Sequence, residues 1–62
     1  MKYSELKRLL RLKGCYKKEE WSKHEGWYSP ITDKMFPVGR HDSEDVRKGT
    51  LNDILKQSGI KE

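Results

Sequence analysis

Two short leucine-rich stripes, each closed by a glycine, frame this 62-residue chain and leave between them a stretch with no helical period. Leu6, Leu9 and Leu10 fall at i, i+3 and i+4, with Ser4 able to cap the helix and Gly14 supplying the stop. The spacing predicts a first helix from about Glu5 to Lys13, with Lys7, Arg8 and Arg11 on the opposite face, turned to solvent or to phosphate. Leu51, Ile54 and Leu55 repeat the stripe, predicting a second helix over about Leu51 to Ser58. Thr50 stands at its start, and Asp53 can complete a variant of the capping box. Gly59 ends it, and Ile60 can fold back as the hydrophobic contact of the C-terminal motif.

Between the stripes, aromatic-rich segments alternate with turn signals and predict three antiparallel strands, at about Cys15 to Glu19, His24 to Tyr28 and Lys34 to Val38. Pro30 opens the turn Ser29 to Asp33, and Pro37 removes a ladder donor, which sends the third strand to a sheet edge. Gly26 marks a bulge or a close backbone approach. With Trp27 inward, alternation puts Glu25 on the same inner face and His24, Gly26 and Tyr28 on the outer one. Helix, three strands, helix is an α+β domain of two layers spanning residues 1–62, both helices covering one face of the sheet.

Such a chain lies near the lower size limit for folding without disulfides or metal. Only 32% of its residues are hydrophobic, so nearly every apolar side chain has to face inward. The formal charge of +4 is unevenly spread: residues 1–18 hold seven basic residues, Lys2, Lys7, Arg8, Arg11, Lys13, Lys17 and Lys18, against Glu5 alone. That asymmetry suits a polyanionic partner, although a charged helix face is also ordinary solvated surface. The single cysteine, Cys15, excludes an internal disulfide and reads as a small buried hydrophobe rather than a nucleophile, since the sequence offers no base for it. No apolar run is long enough for a signal peptide or a membrane span, and the expected compartment is the cytoplasm.

The candidate chemistry centres on the two histidines. Imidazole, with a reference pKa of about 6.5, both takes and releases protons near neutrality, which RNA cleavage without a metal requires. His24, in the run Trp21-Ser22-Lys23-His24-Glu25-Gly26-Trp27-Tyr28, is accessible if it lies on the outer sheet face; otherwise it is an ordinary exposed strand residue. His41 becomes a second proton-transfer group if its loop approaches His24, and otherwise bonds backbone or packs against the second helix. His24, His41, Cys15 and Asp42 include metal-ligand types, yet no paired ligand spacing is present, so neither a metal nor another cofactor is expected. Trp27, Tyr28, Tyr16 and Tyr3 offer aromatic surface, some of it able to stack on unpaired bases.

Several stretches resemble the HicA toxins of bacterial HicA/HicB toxin-antitoxin systems. They are Met1-Lys2-Tyr3-Ser4-Glu5-Leu6, Gly14-Cys15-Tyr16, His24 to Trp27-Tyr28-Ser29-Pro30, Phe36-Pro37-Val38-Gly39-Arg40-His41 and the ending Lys48 to Ile60. The resemblance implies a fold similar to the double-stranded RNA-binding domain, endoribonuclease activity on messenger RNA, and a catalytic histidine at His24. It also implies a cognate HicB-like antitoxin. The family usually carries a glycine shortly before that histidine, where this chain has Trp21, Ser22 and Lys23, and commonly a proline where Gly39 stands.

A nuclease of this size would use the substrate's own 2′-hydroxyl as nucleophile, with His24 as general acid or base and Lys17, Lys23 or Arg40 steadying the phosphate. Lys7, Arg8 and Arg11 extend the expected RNA-binding surface. The rival expectation is a noncatalytic RNA-binding module of the same fold, and a third is an interaction protein without a nucleic-acid role.

Overall fold

The computed structural model describes residues 1–61. It contains α1 (Tyr3–Leu12), β1 (Tyr16–Glu20), β2 (Glu25–Ser29), β3 (Lys34–Val38) and α2 (Lys48–Ser58) in that order. The strands form an antiparallel meander with β2 central and β3 at one edge, the position that Pro37 favours. Leu6 and Leu10 from α1, Trp27, Phe36 and Val38 from the sheet, and Ile54 from α2 join Cys15, Val46 and Ile60 in one buried cluster. Both helices thus cover the same sheet face, and Cys15 is a buried free thiol packed as a hydrophobe.

Both helices begin earlier than their leucine stripes. Ser4 does not cap α1; Lys2 holds the cap position, and its backbone N–H donates to Glu5 Oε1 at 3.0 Å. The first free N–H groups of α1 find their acceptors across the fold: Tyr3 donates to Glu44 O and Ser4 to Asp42 O, each at 3.0 Å. The loop before α2 therefore closes over the start of α1, assisted by Val46 N–H on Met1 O at 2.8 Å. Such tertiary caps leave no side-chain signature in the local sequence. Thr50 likewise lies inside α2 rather than before it, because the helix starts from Arg47, whose carbonyl accepts the Leu51 N–H at 2.8 Å.

The glycine stops hold. Gly14 and Gly59 both have positive φ, 92° and 76°. The N–H groups of Cys15 and Ile60 return to Leu10 O and Leu55 O at 2.9 and 3.2 Å, closing the helix ends. The end of α2 docks on the β2–β3 turn, where Ser29 Oγ donates to Ser58 O at 2.5 Å and Thr32 Oγ1 to Gln57 O at 2.6 Å.

The principal departure from expectation is Lys7, which belongs to the buried face of α1 and not to its exposed one. It is 4% exposed, and its ammonium contacts Asp42 Oδ1 at 2.6 Å and Glu25 Oε1 at 3.2 Å. Glu25, inward as the alternation requires, also accepts from Trp27 Nε1 at 2.9 Å. Its neighbour Lys7 holds the Asp42 carboxyl below the usual carboxylate range. Replacing Lys7 by Met would leave the largely buried Glu25 carboxylate with Lys17, 4.0 Å away and shared with Glu20, as its cation. The expected loss is about 3 kcal/mol, read by urea unfolding; stability within about half a kcal/mol of the parent would contradict it.

Candidate active site and RNA-facing surface

His24 is the last residue of the connection that turns β1 into β2. The turn is closed by the Trp21 N–H, which donates to His24 O at 2.9 Å. Arg40, from the segment following β3, clasps the same turn: Nη2 donates to Trp21 O and, at 3.2 Å, to His24 O, while Nη1 donates to Glu20 Oε2. Lys17 also pairs with Glu20. Trp21 gives the turn its second anchor. Its ring lies over Gly26, where a Cβ would sit 2.6 Å from Trp21 Cε2, and its Nε1 donates to Glu19 at 2.8 Å. Gly26 is thus a close approach, and β1 carries a register irregularity across Lys18 beside it.

The exposed His24 opens onto a cleft of about 270 Å³ whose other walls are Tyr3, Pro37, Gly39, Thr50, Asp53, Ile54 and Gln57. Tyr3 is held there by Gly39: a Cβ on that glycine would lie 2.8 Å from Tyr3 Cζ. On α2, positions 50, 53, 54 and 57 follow i, i+3, i+4, i+7 and so share a single helical face. Thr50, Asp53 and Gln57 were not singled out as site residues by the sequence; their spacing is a mainly polar stripe flanking the apolar one, and it was legible.

The remaining candidates divide. His41 lies outside the cleft lining, in an exposed turn where its carbonyl accepts the Glu44 N–H at 3.0 Å. Arg8 and Lys23 are exposed. The Arg11 guanidinium lies 5.3 Å from the ring centroid of Trp27, and Lys17 is occupied by Glu20, with Glu25 4.0 Å away. Lys7 is turned inward, as described above, and Arg40 spends its guanidinium on the turn. On the outer sheet face Tyr16 and Tyr28 pack with ring centroids 5.5 Å apart, and Lys18 Nζ lies 5.0 Å from the Tyr28 ring centroid. Tyr28 donates to Asp33 Oδ1 at 2.5 Å, and that carboxylate keeps the phenol protonated above its usual range.

A family model described as the HicA toxin of bacterial toxin-antitoxin systems matches residues 3–60. The chain belongs to the HicA toxin family. No curated protein and no solved structure matched it. Among the described residues, no helix is long and apolar enough to cross a membrane.

The clasp beneath His24 has a measurable acid limit. Hydrogen bonds from Lys17 and Arg40 lower the Glu20 carboxyl from 4.5 to about 2. Because the folded value lies below the unfolded one, the unfolded chain binds more protons in this window. The contribution is complete above about 4.5 and is lost as pH falls through about 2. An NMR titration should give a Glu20 midpoint near 2, with the amides of residues 21–24 moving with it; a midpoint near 4.5 would show that the clasp does not form.

Proposed function

We propose that this HicA-family toxin is a metal-independent endoribonuclease that arrests translation by cutting messenger RNA, with His24 transferring the proton. The observation that carries the reading is the placement of an exposed imidazole on the wall of a cleft of mixed apolar and polar lining, with its backbone carbonyl held by two donors, Trp21 N–H and Arg40 Nη2. Fixing the main chain of the residue that moves the proton limits the reorganisation needed when RNA docks.

In this reading the RNA supplies its own nucleophile. Its 2′-oxygen attacks the adjacent phosphorus while losing a proton, and the 5′-oxygen of the next nucleotide departs while gaining one. The products are a 2′,3′-cyclic phosphate and a 5′-hydroxyl. His24 performs one of the two transfers. Of the candidate cations, Lys23, exposed beside it, and Arg8 on α1 are open to phosphate, whereas Lys7, Lys17 and Arg40 serve the scaffold. His41, standing in its own turn outside the cleft, is not assigned the second transfer.

The partner is a HicB-like antitoxin that occludes the His24 cleft, with an acidic surface facing the basic N-terminal segment. The compartment is the bacterial cytoplasm, where messenger RNA is reached.

The test is cleavage of a defined RNA in EDTA by the wild-type protein and by His24→Ala. The expected outcome is cutting that leaves 5′-hydroxyl ends and falls at least about a hundredfold in the variant. An exposed turn position tolerates truncation, so its unfolding midpoint should be unchanged. Intact RNA with binding retained in the wild type would instead place the chain among noncatalytic RNA-binding modules.

A further inference from the structure

The cleft that His24 opens onto is unlike a phosphate site. Of the residues lining it, none is a lysine or arginine, and Asp53 contributes a carboxylate. Arg40, the nearest guanidinium in sequence, is bonded to Glu20, Trp21 O and His24 O. A carboxylate in a small cleft repels phosphate and attracts neutral groups rich in N–H donors. At about 270 Å³ the space lies just under the usual range of drug-sized ligand pockets, enough for one planar ring system. Its walls combine flat apolar surface, from Tyr3 and Pro37, with hydrogen-bonding groups on one face of α2, from Thr50, Asp53 and Gln57. Aromatic and apolar surface beside a few convergent polar groups is how single-stranded RNA bases are held.

We propose that this cleft is a nucleobase pocket, and that it selects a guanine next to the bond being cut. The proposal rests on reading His24 as the residue that cleaves RNA, since this puts the pocket one nucleotide from the scissile phosphate. The choice of base follows from the donor pattern. A carboxylate accepts two hydrogen bonds side by side, and guanine alone among the four bases presents two adjacent N–H donors, N1–H and the 2-amino group, on its Watson–Crick edge. Uracil places a carbonyl on each side of its single N–H, and adenine and cytosine each pair one amino group with a ring-nitrogen acceptor. Asp53 takes the two guanine donors, and the Gln57 amide or Thr50 hydroxyl donates to O6. The phosphate then remains outside the cleft, beside His24 and Lys23.

Two measurements test this. In the first, RNAs that differ only at the nucleotide flanking the cut are compared, with guanosine, inosine, adenosine, cytidine or uridine at that position. Guanosine should be preferred by about tenfold or more, as expected for a bidentate contact, with inosine, which lacks the 2-amino group, reduced. Asp53→Asn should erase the preference for guanosine over inosine and leave the unfolding midpoint unchanged, since Asp53 is exposed. In the second, guanosine and inorganic phosphate are titrated separately into the wild-type protein and followed by NMR. Guanosine should shift the amides of Thr50, Asp53 and Gln57, and phosphate should leave them in place. Shifts with guanosine but no RNA scission would uphold the pocket while overturning the nuclease reading. His24-dependent scission with the same base preference in Asp53→Asn, and no response to guanosine, would overturn the pocket alone.

Discussion

The ammonium of Lys7, buried among carboxylates, is the contact on which the rest of this small structure depends. Removing a charge from water costs several kcal/mol, and only well-placed partners offset it. Asp42 and Glu25 are those partners, and each lies on a different part of the chain: Asp42 on the loop before α2, Glu25 at the start of β2. Three segments that also meet in the apolar core, through Leu6, Trp27 and Val46, are therefore joined by charge at one point. The same loop lends its carbonyls to the N–H groups of Tyr3 and Ser4, so α1 begins where the loop lies. That placement carries Tyr3 onto Gly39 and into the cleft with His24, which links the buried charge to the geometry of the site.

Four other basic residues are engaged in a similar way. Arg11 lies over Trp27, Lys17 is held by Glu20, Lys18 lies over Tyr28, and Arg40 spans three acceptors around the His24 turn. A chain with few apolar residues uses its cations as cross-links, their aliphatic stems covering rings and their charges closing turns. Each ion pair removes one positive and one negative charge, so this use of cations leaves the net charge of +4 as it was. It also divides the surface by function: cationic positions outside the cleft, and a neutral to acidic cleft beside the imidazole.

Much of this was legible in the sequence. The leucine stripes, the glycine stops at Gly14 and Gly59, the edge position of Pro37 and the inward Trp27 and Glu25 follow from periodicity and backbone chemistry, and the structure has them so. The helix starts were displaced because their acceptors are carbonyls distant in sequence, which no local capping pattern encodes. Lys7 was assigned to solvent because lysine is ordinarily exposed, yet positions 3, 6, 7 and 10 form as regular a stripe as the leucines do. Of the candidate site, the sequence offered His24 by its chemistry alone, whereas the Arg40 clasp depends on a turn-to-loop contact between residues 16 positions apart. Trp21, which stands in the approach where the family usually has a glycine, caps Gly26 and ties the His24 turn to the sheet.

The proposed function requires RNA to dock at the His24 cleft. The most direct measurement is NMR of the wild-type protein titrated with an RNA that carries a single 2′-deoxynucleotide at the cleaved position, which binds without being cut there. The prediction is saturable movement of the His24 ring resonances together with the amides of Thr50, Asp53 and Gln57. Movement confined to the Tyr16 and Tyr28 face of the sheet, with the His24 ring unchanged, would contradict it.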